Sequence, residues 1–590
     1  MGNRKFKKIS IVAYLNSLPE HKRIIVLAFV VGLLSGTAAV VLKLSINYIK
    51  WLLTSWFDTG SFSWLYLVYP GVGMLISMLI VKYLAKEKMS HGITRVLYAI
   101  SRKESRLSSR AIWAPLVASA FTIGFGGSVG AEAPIVHSGA AIGSTIAQKL
   151  KLSYRQITLL LACGAAGSLA GIFKAPLAGI VFVIEILMFD LTLSSIVPLL
   201  ISTVTAISIP YFFMGRTVEF TNSSMPFNMN NIPYYILLGI FCGFLSLYFI
   251  RDTLKLEEKI TKIANPYKRL AICAVCLGLL IYIFPPLYGE GYSSLSILLN
   301  NEVAFDVNNQ IYGSLADKAW FLPIFLIFVM FFKVVSMSLT NAGGGVGGTF
   351  GPTLFMGGIC GFVTARIINL IGWVSLPEEN FTLVGMGGLM AGVMHAPLTG
   401  IFLIAEITGG YDLLMPLMIT SATSYILINR FEPNSIYTKR LAMQGDLITH
   451  NKDQAVLTLL KLNDLIETDF DLIKPDDSLG NLINVIANTH RNLFPVVDDD
   501  NKLQGILLLD DVRTIMFDRD LYNTVLVKNY MHSSTNVINN SDTMERVVNK
   551  FNVDNAWNLP VVDAENHYLG FVSKSKLFGA YREQLINFSQ

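Results

Sequence analysis

Long apolar segments, separated by short polar ones, fill the chain as far as about residue 440. Windows of the length needed to cross a membrane lie at 24–52, 65–85, 111–148, 156–189, 194–214, 233–250, 269–288, 320–338, 352–373 and 412–428. A transmembrane helix needs about 20 apolar residues. Several of these windows are longer, or are interrupted by Gly and Pro, so the pattern predicts tilted and broken helices beside simple spans.

The pattern changes after about residue 440, where no apolar window is long enough to span a bilayer. Short apolar strands such as FPVV and GILLL alternate there with helical stretches such as SLGNLINVIANTH. The segment 492–513 matches the segment 558–578, with Gly505 aligned on Gly570. The sequence therefore predicts a soluble βαβ-type module that occurs twice.

An internal repeat also runs through the apolar part of the chain. AGIFKAPLAGIVFVIEI (170–186) and AGVMHAPLTGIFLIAEI (391–407) share nine of seventeen positions at an offset of 221 residues. Upstream, GGSVGAEAP (126–134) is echoed by GGGVGGTFGP (343–352). The apolar part therefore consists of two homologous halves. In transporters, such halves typically place the site at their interface and use broken helices whose N-termini face an anion.

The composition narrows the class of protein. Of the 590 residues, 53% are hydrophobic and 15% are charged, and the mean hydropathy is +0.52. These values are typical of an integral membrane protein with a soluble appendage and argue against a soluble enzyme. The net charge of +5 does not indicate nucleic-acid binding. Lys and Arg cluster at 4–8, 82–110 and 149–155, which indicates that these segments face the cytoplasm.

Glu132 is the only charged residue between Arg110 and Lys149, and the segment before it is almost wholly apolar. A carboxylate in such a run is by default a functional candidate, because it needs partners or water. The glycines before it and Pro134 after it predict a glycine loop that opens a helix. Since a helix N-terminus favours negative charge, its amides can hold the carboxylate or a small anion. A helix-capping acid in a buried loop remains the alternative.

Four motifs in this order resemble those of the CLC family of chloride channels and chloride/proton antiporters. GAEAP (130–134) resembles the family's GREGP, GTFGP (348–352) resembles GxFxP, and SHGIT (90–94) stands where GSGIP is usual. Tyr437 in PNSIYTKRL matches the pore tyrosine. The resemblance covers nearly the whole chain. It implies an all-α membrane protein with two inverted-topology repeats and broken helices, followed by a C-terminal α/β pair of CBS domains.

The resemblance and the repeats together set the expected domain boundaries. These are a cytoplasmic N-terminal segment at 1–22, a transmembrane domain at 23–445 with repeats at about 90–210 and 310–430, a linker at 446–468 and tandem CBS domains at 469–590. The resemblance implies a multi-pass homodimer in the cell membrane, with the N-terminus and the CBS domains in the cytoplasm. The expected partners are the lipid bilayer and chloride or a similar small anion, and no nucleic acid.

The resemblance also implies which residues surround the anion. Glu132 becomes the gating glutamate, which competes with anions for an outer site and leaves it when protonated. Backbone amides and side chains along the path would come from Ser90, His91, Gly92, Ala131, Ala133, Thr349, Phe350, Gly351 and Tyr437. Donors of this kind hold a dehydrated anion without trapping it.

Two departures from the family pattern affect this site. Ala131 stands where a basic residue is usual, so the outer mouth loses a positive charge. His91 aligns with the pore serine, and its imidazole can donate to an anion or carry a charge. If the loop is shifted by one residue, Ser90 takes the role of the serine and His91 is only packed.

A third departure concerns proton coupling. In the proton-coupled members a second acid follows the APLxGI repeat, at the position of Ile186 here. Isoleucine cannot relay a proton, and the neighbouring Glu185 has a counterpart in Glu406, which favours a structural role. The expected function is therefore passive conduction of chloride through one pore per subunit. A chloride/proton antiporter with another proton path is the alternative. An enzyme is not expected, because no nucleophile–base pair or phosphate loop is recognisable, and no metal or cofactor is required.

Nucleotide binding by the CBS pair stays open. In CBS domains that bind adenine nucleotides, a G-h-h-[ST]-x-x-D stretch supplies a hydroxyl group and an Asp. The first copy keeps Asp511 but has Leu508 at the hydroxyl position. The second copy keeps Ser573 but has Lys576 in place of the Asp. Because neither copy is complete, a structural or dimerising role is at least as well supported as nucleotide sensing.

Overall fold

A computed structural model of the chain describes most of its residues. They are 18–55, 64–86, 91–189, 193–215, 220, 226–300, 312, 318–372, 374–443, 460, 462–533, 536–554 and 556–589. The chain divides into two compact units, Met1–Leu447 and Ile448–Gln590. Ser90, most of the expected N-terminal segment and much of the expected linker lie outside the described residues, so those expectations stay predictions.

The regular elements of the first unit are helices, joined by loops, within its described residues. Its helices are α1 (Glu20–Ser55), α2 (Leu65–Leu79, continued by a π-helical turn at Ile80–Ala85), α3 (Gly92–Arg102), α4 (Arg110–Gly124), α5 (Glu132–Lys149), α6 (Tyr154–Phe173), α7 (Pro176–Glu185), α8 (Leu193–Met214), α9 (Ile232–Thr261), α10 (Pro266–Ile283), α11 (Tyr292–Leu299), α12 (Phe321–Gly343), α13 (Phe350–Ile371), α14 (Glu378–Met394), α15 (Pro397–Thr408), α16 (Leu414–Phe431) and α17 (Ile436–Met443). Among the described residues, eight helices are long and apolar enough to cross a membrane.

The predicted breaks in the apolar windows are confirmed. The window 111–148 contains α4 and α5, and the glycine-rich loop that carries Gly126 at φ +92° separates them. The window 156–189 is divided into α6 and α7 just before Pro176. A helix cannot run through that proline without losing a backbone hydrogen bond, whereas the first position of a new helix accepts it.

The two halves repeat the same local backbone at their second break. Lys174 ends α6 in the left-handed conformation at φ 57°, and His395 ends α14 in the same way at φ 55°. In each half an extended Ala follows, and then a proline that opens the next helix, α7 or α15. The sequence repeat therefore corresponds to a structural repeat.

Each half supplies an acid that caps the helix of the other half. Glu185, the last residue of α7, accepts hydrogen bonds from the amides of Leu398 (2.9 Å) and Thr399 (2.7 Å) at the start of α15. Glu406, near the end of α15, accepts from the amides of Leu177 (3.0 Å) and Ala178 (2.9 Å) at the start of α7. Two antiparallel helices thus satisfy each other's N-terminal amides.

We expect Glu185→Gln to destabilise the protein, because Glu185 caps the start of α15. The amide side chain keeps one acceptor but loses the charge, so the free energy of unfolding should fall by about 1–2 kcal/mol. The melting temperature of the full chain purified in detergent measures this change, and Glu406→Gln is the matched variant. An unchanged melting temperature would contradict the capping role of Glu185.

The second unit contains two copies of one antiparallel hairpin. Its elements are α18 (Leu462–Leu465), α19 (Leu479–Asn488), β1 (Leu493–Val497), β2 (Leu503–Leu508), α20 (Leu509–Val512), β3 (Ile538–Asn539), α21 (Met544–Asp554), β4 (Asn558–Val562), β5 (Tyr568–Ser573) and α22 (Lys574–Ser589). Val496 faces Gly505 in the first hairpin, and Val561 faces Gly570 in the second. The predicted α/β repeat is confirmed down to the register of its strands.

The hairpin turns are also built alike. Asp498 accepts hydrogen bonds from the amides of Asp500 and Lys502, and Asp563 accepts from the residues two and four positions after it. The bond from the Lys502 amide, above all, lowers the pKa of Asp498. An apolar cluster joins the hairpins, made of Leu493, Val497, Leu503, Val562, Tyr568 and Phe571. The two copies therefore share one core.

Candidate functional site

The two glycine loops of the first unit meet directly. The amide of Gly130 donates to the carbonyl of Gly348 at 3.0 Å, and the amide of Gly348 donates back to Gly130 at 2.7 Å. A Cβ atom on Gly130 would lie 2.8 Å from the Gly351 nitrogen, and one on Gly348 would lie 2.8 Å from the Ala133 Cβ. Only glycine allows this approach, which brings the first turns of α5 and α13 together.

Glu132 bridges the two halves at this point. Its side chain is buried, with the residue 1% exposed. Its Oε2 accepts a hydrogen bond from the amide of Gly351 at 3.2 Å, and its Oε1 accepts from the hydroxyl of Tyr292 at 2.5 Å. The carboxylate of one half therefore occupies an amide at the N-terminus of the other half's helix, a position that also suits a small anion.

Three other residues that the motifs assign to the anion site have partners at the starts of α5 and α13. Ala131 is buried, and its amide donates to Glu290 Oε1 at 2.9 Å. Thr349 precedes Phe350, the first residue of α13, and its hydroxyl donates to the hydroxyl of Tyr437 at 3.1 Å. Thr349 and Tyr437 are thus bonded to each other, and Ala131 is bonded to an acid just before α11.

Three residues of this region lie outside the family motifs. Glu290 and Tyr292 belong to the turn YGEGY, which binds both Ala131 and Glu132. Lys333 is fully buried, and its Nζ donates to Ser128 Oγ and to the Gly289 carbonyl, both at 2.9 Å. The sequence does single out Lys333, because it is the one charged residue in the apolar helix α12. It places a positive charge near the loop in which Ala131 replaces a basic residue.

His91 lies at the start of α3 with a left-handed backbone, at φ 60°. Its Nε2 is 3.4 Å from Glu257 Oε2, which also accepts from Arg440 Nη2 at 2.8 Å. A Cβ atom on Gly92 would lie 2.6 Å from the Ala133 carbonyl oxygen, so this loop packs directly against α5. An anion contact by His91 stays a prediction. An anion bound there would share the imidazole with Glu257.

Ile186 directly follows α7 and is 3% exposed. The carboxylate beside it, Glu185, is engaged at the start of α15 by Leu398 and Thr399. The position that carries an acid in proton-coupled relatives is thus occupied by a buried apolar side chain.

Both candidate nucleotide contacts of the second unit have partners within that unit. Asp511 Oδ2 accepts from the Leu508 amide at 2.8 Å, and its Oδ1 lies 2.9 Å from His532 Nε2. Ser573 Oγ donates to Glu467 Oε1 at 2.6 Å. Within the part of the chain that the structure describes, no group of His, Cys, Asp and Glu residues is arranged to hold a metal ion.

Two domain families match the sequence. The model described as voltage gated chloride channel matches residues 72–429, and the CBS domain matches residues 462–518 and 527–583. A putative chloride channel protein ClcB-like of Ralstonia nicotianae is 30% identical over 391 residues, which is 65% of this chain and 87% of the relative. The H(+)/Cl(−) exchange transporter ClcA of Vibrio cholerae is 27% identical over 469 residues, which is 75% of this chain and 96% of the relative.

A solved structure with the same fold is that of a slow cyanobacterial Cl−/H+ antiporter. It has a TM-score of 0.63 and 23% sequence identity, and the match covers 74% of this chain and all of the antiporter.

Proposed function

Because the chain belongs to the voltage gated chloride channel family, the CLC family, and is a multi-pass membrane protein with a CBS domain pair, we propose that it exchanges chloride for protons. The observation that carries this proposal is the position of Glu132. Its carboxylate accepts a hydrogen bond from the Gly351 amide in the way that an anion would. Protonation of Glu132 removes the negative charge that holds the carboxylate at this amide. Chloride and the proton then act at one place. The name of the Vibrio relative as an exchange transporter supports the same choice.

Passive conduction is the second candidate, and a specific observation favours it. Ile186 is buried and apolar where the exchangers of the family carry an acid. The relative from Ralstonia is named a putative chloride channel, which agrees with this alternative. A passive protein would still use Glu132 as a gate but would not move protons in a fixed ratio to chloride.

Ion flux from liposomes that contain the purified full chain separates the two candidates. A chloride gradient is imposed, and chloride and external pH are recorded together. Exchange predicts that protons move against their own gradient, and that a protonophore abolishes this uphill movement. Chloride flux without uphill proton movement would assign passive conduction, and protein-free liposomes give the background.

We further propose a homodimer in the cell membrane, with one anion path per subunit and with the N-terminus and CBS pair in the cytoplasm. Chloride is the proposed substrate, and fluoride, nitrate and bromide can be compared in the same liposomes. The CBS pair is assigned a structural or dimerising role in a transporter, not in an enzyme. The incomplete motifs support this role, as do the internal partners of Asp511 and Ser573.

A further inference from the structure

Glu290 lies in a short loop that is fastened to the glycine loop before α5. We call the segment Pro285–Tyr292 the Glu290 loop. Its two glycines, Gly289 at φ +66° and Gly291 at φ +97°, adopt left-handed conformations on either side of the acid. The Gly289 amide donates to the Gly126 carbonyl at 3.1 Å, and buried Lys333 donates to both loops. The position of Glu290 is therefore set by backbone contacts and by a buried charge.

The carboxylate of Glu290 binds an amide that belongs to the anion site. Its Oε1 accepts from the Ala131 amide at 2.9 Å, while Glu132 accepts from the Gly351 amide at 3.2 Å. Two acids thus accept hydrogen bonds from backbone amides, one in each half of the site. An anion that binds between α5 and α13 needs these donors, so it must compete with both carboxylates.

A cavity leads to these two acids. It has a volume of about 190 Å³, and its wall includes Lys43 and Lys50 from α1 as well as Glu132, Glu290 and Tyr292. It lies at the start of α5, whose 18 residues end at the basic segment 149–155. Such a helix is about 27 Å long. In the orientation proposed above, the cavity opens away from the cytoplasm, and its lysines attract anions towards both acids.

The charged and titratable groups around Glu290 come from four helices and its own loop. They are Lys43 and Lys50 on α1, Glu132 on α5, Tyr292 on α11, Lys333 on α12 and Tyr288 in the Glu290 loop. Three lysines thus surround the two carboxylates. An entering anion meets basic side chains together with the two acids that hold the amides.

We infer that Glu290 sets the affinity of the site for anions, because it competes with them for the Ala131 amide separately from Glu132. This inference rests on the proposed transport of chloride. It assigns to Glu290 the role of setting how tightly the mouth of the path binds an anion. The carboxylate leaves the amide when chloride binds and returns when chloride passes on.

Isothermal titration of chloride into the full chain in chloride-free detergent buffer tests the role of Glu290. Glu290→Ala exposes the Ala131 amide and should lower the Kd for chloride about tenfold, the range expected from removing one charged hydrogen-bonded competitor. Glu290→Gln keeps an acceptor oxygen at the amide without its charge, so its Kd should fall between those of wild type and Glu290→Ala. Because glutamine is isosteric, this variant also tests the inference if the alanine variant folds poorly.

The control is Glu406→Gln, which removes a charge from helix amides at the start of α7 and should leave the Kd unchanged. Equal Kd values for wild type and both Glu290 variants would overturn the inference while leaving chloride transport intact. So would a lower melting temperature at an unchanged Kd, because it would show that Glu290 only anchors its loop. A wild-type protein that neither binds nor transports chloride would instead overturn the proposed function itself.

Discussion

If the protein exchanges chloride for protons as proposed, replacing Glu132 by glutamine will uncouple the two ions. Chloride flux will continue while uphill proton movement falls to the background of empty liposomes. Glutamine still fits between the hydroxyl of Tyr292 and the amide of Gly351, but it holds no titratable proton. A neutral acceptor also binds an amide roughly half as strongly as a carboxylate does. Chloride should therefore displace it at any pH, and the chloride flux should become largely independent of pH above neutrality.

Simultaneous recording of chloride and pH in liposomes measures both parts of this result. Glu185→Gln serves as the matched control, because it removes a half-buried carboxylate that caps amides elsewhere. It should keep the wild-type pH profile. If Glu132→Gln also kept the wild-type profile, the gate would lie at another residue.

Gly130→Ala should open the same gate without removing its charge. The added methyl group would lie 2.0 Å from Glu132 Oε2 and 2.8 Å from the Gly351 nitrogen, distances that no relaxed structure allows. The carboxylate is the flexible partner and must leave the amide, and the paired backbones of Gly130 and Gly348 must also shift. We expect chloride flux at high pH to rise towards that of Glu132→Gln, with a loss of about 1–3 kcal/mol in stability from the crowding.

Flux and melting temperature are measured together for Gly130→Ala, since a misfolded protein would show neither effect cleanly. Gly410→Ala is the control, because the nearest atom to its new methyl group would be Asp412 Oδ2 at 3.6 Å. If Gly130→Ala melts normally and keeps the wild-type pH dependence of chloride flux, the present position of the Glu132 carboxylate does not control that flux.

The parts of the fold that the sequence predicts are those that local chemistry determines. Gly126 and Pro176 mark helix breaks because their backbones leave few alternatives, and the repeated Gly505 and Gly570 mark equivalent strand positions. The glycines and the isolated charge around Glu132 also identify one half of the site. All of these signals lie within a few residues of the feature they predict.

The partners of Glu132 could not be predicted in this way. Tyr292 lies 160 residues from Glu132, and Glu290 lies 159 residues from Ala131. Lys333 is 205 residues from Ser128. Hydrophobic periodicity describes which side of a helix is buried, but it does not say which distant loop is buried against it. A buried lysine in an apolar helix shows that a partner exists without showing which one.

The exchange of caps between α7 and α15 also has a consequence for how the chain is made. Glu406 leaves the ribosome 221 residues after Glu185, roughly 10–45 s later at ordinary rates of synthesis. During that interval the start of α7 has no acceptor from the second half, and the carboxylate of Glu185 has no donors. An unpaired carboxylate in an apolar environment costs several kcal/mol. A nascent first half is therefore an incomplete insertion intermediate, and a product truncated before α15 would keep this unpaired charge in the membrane.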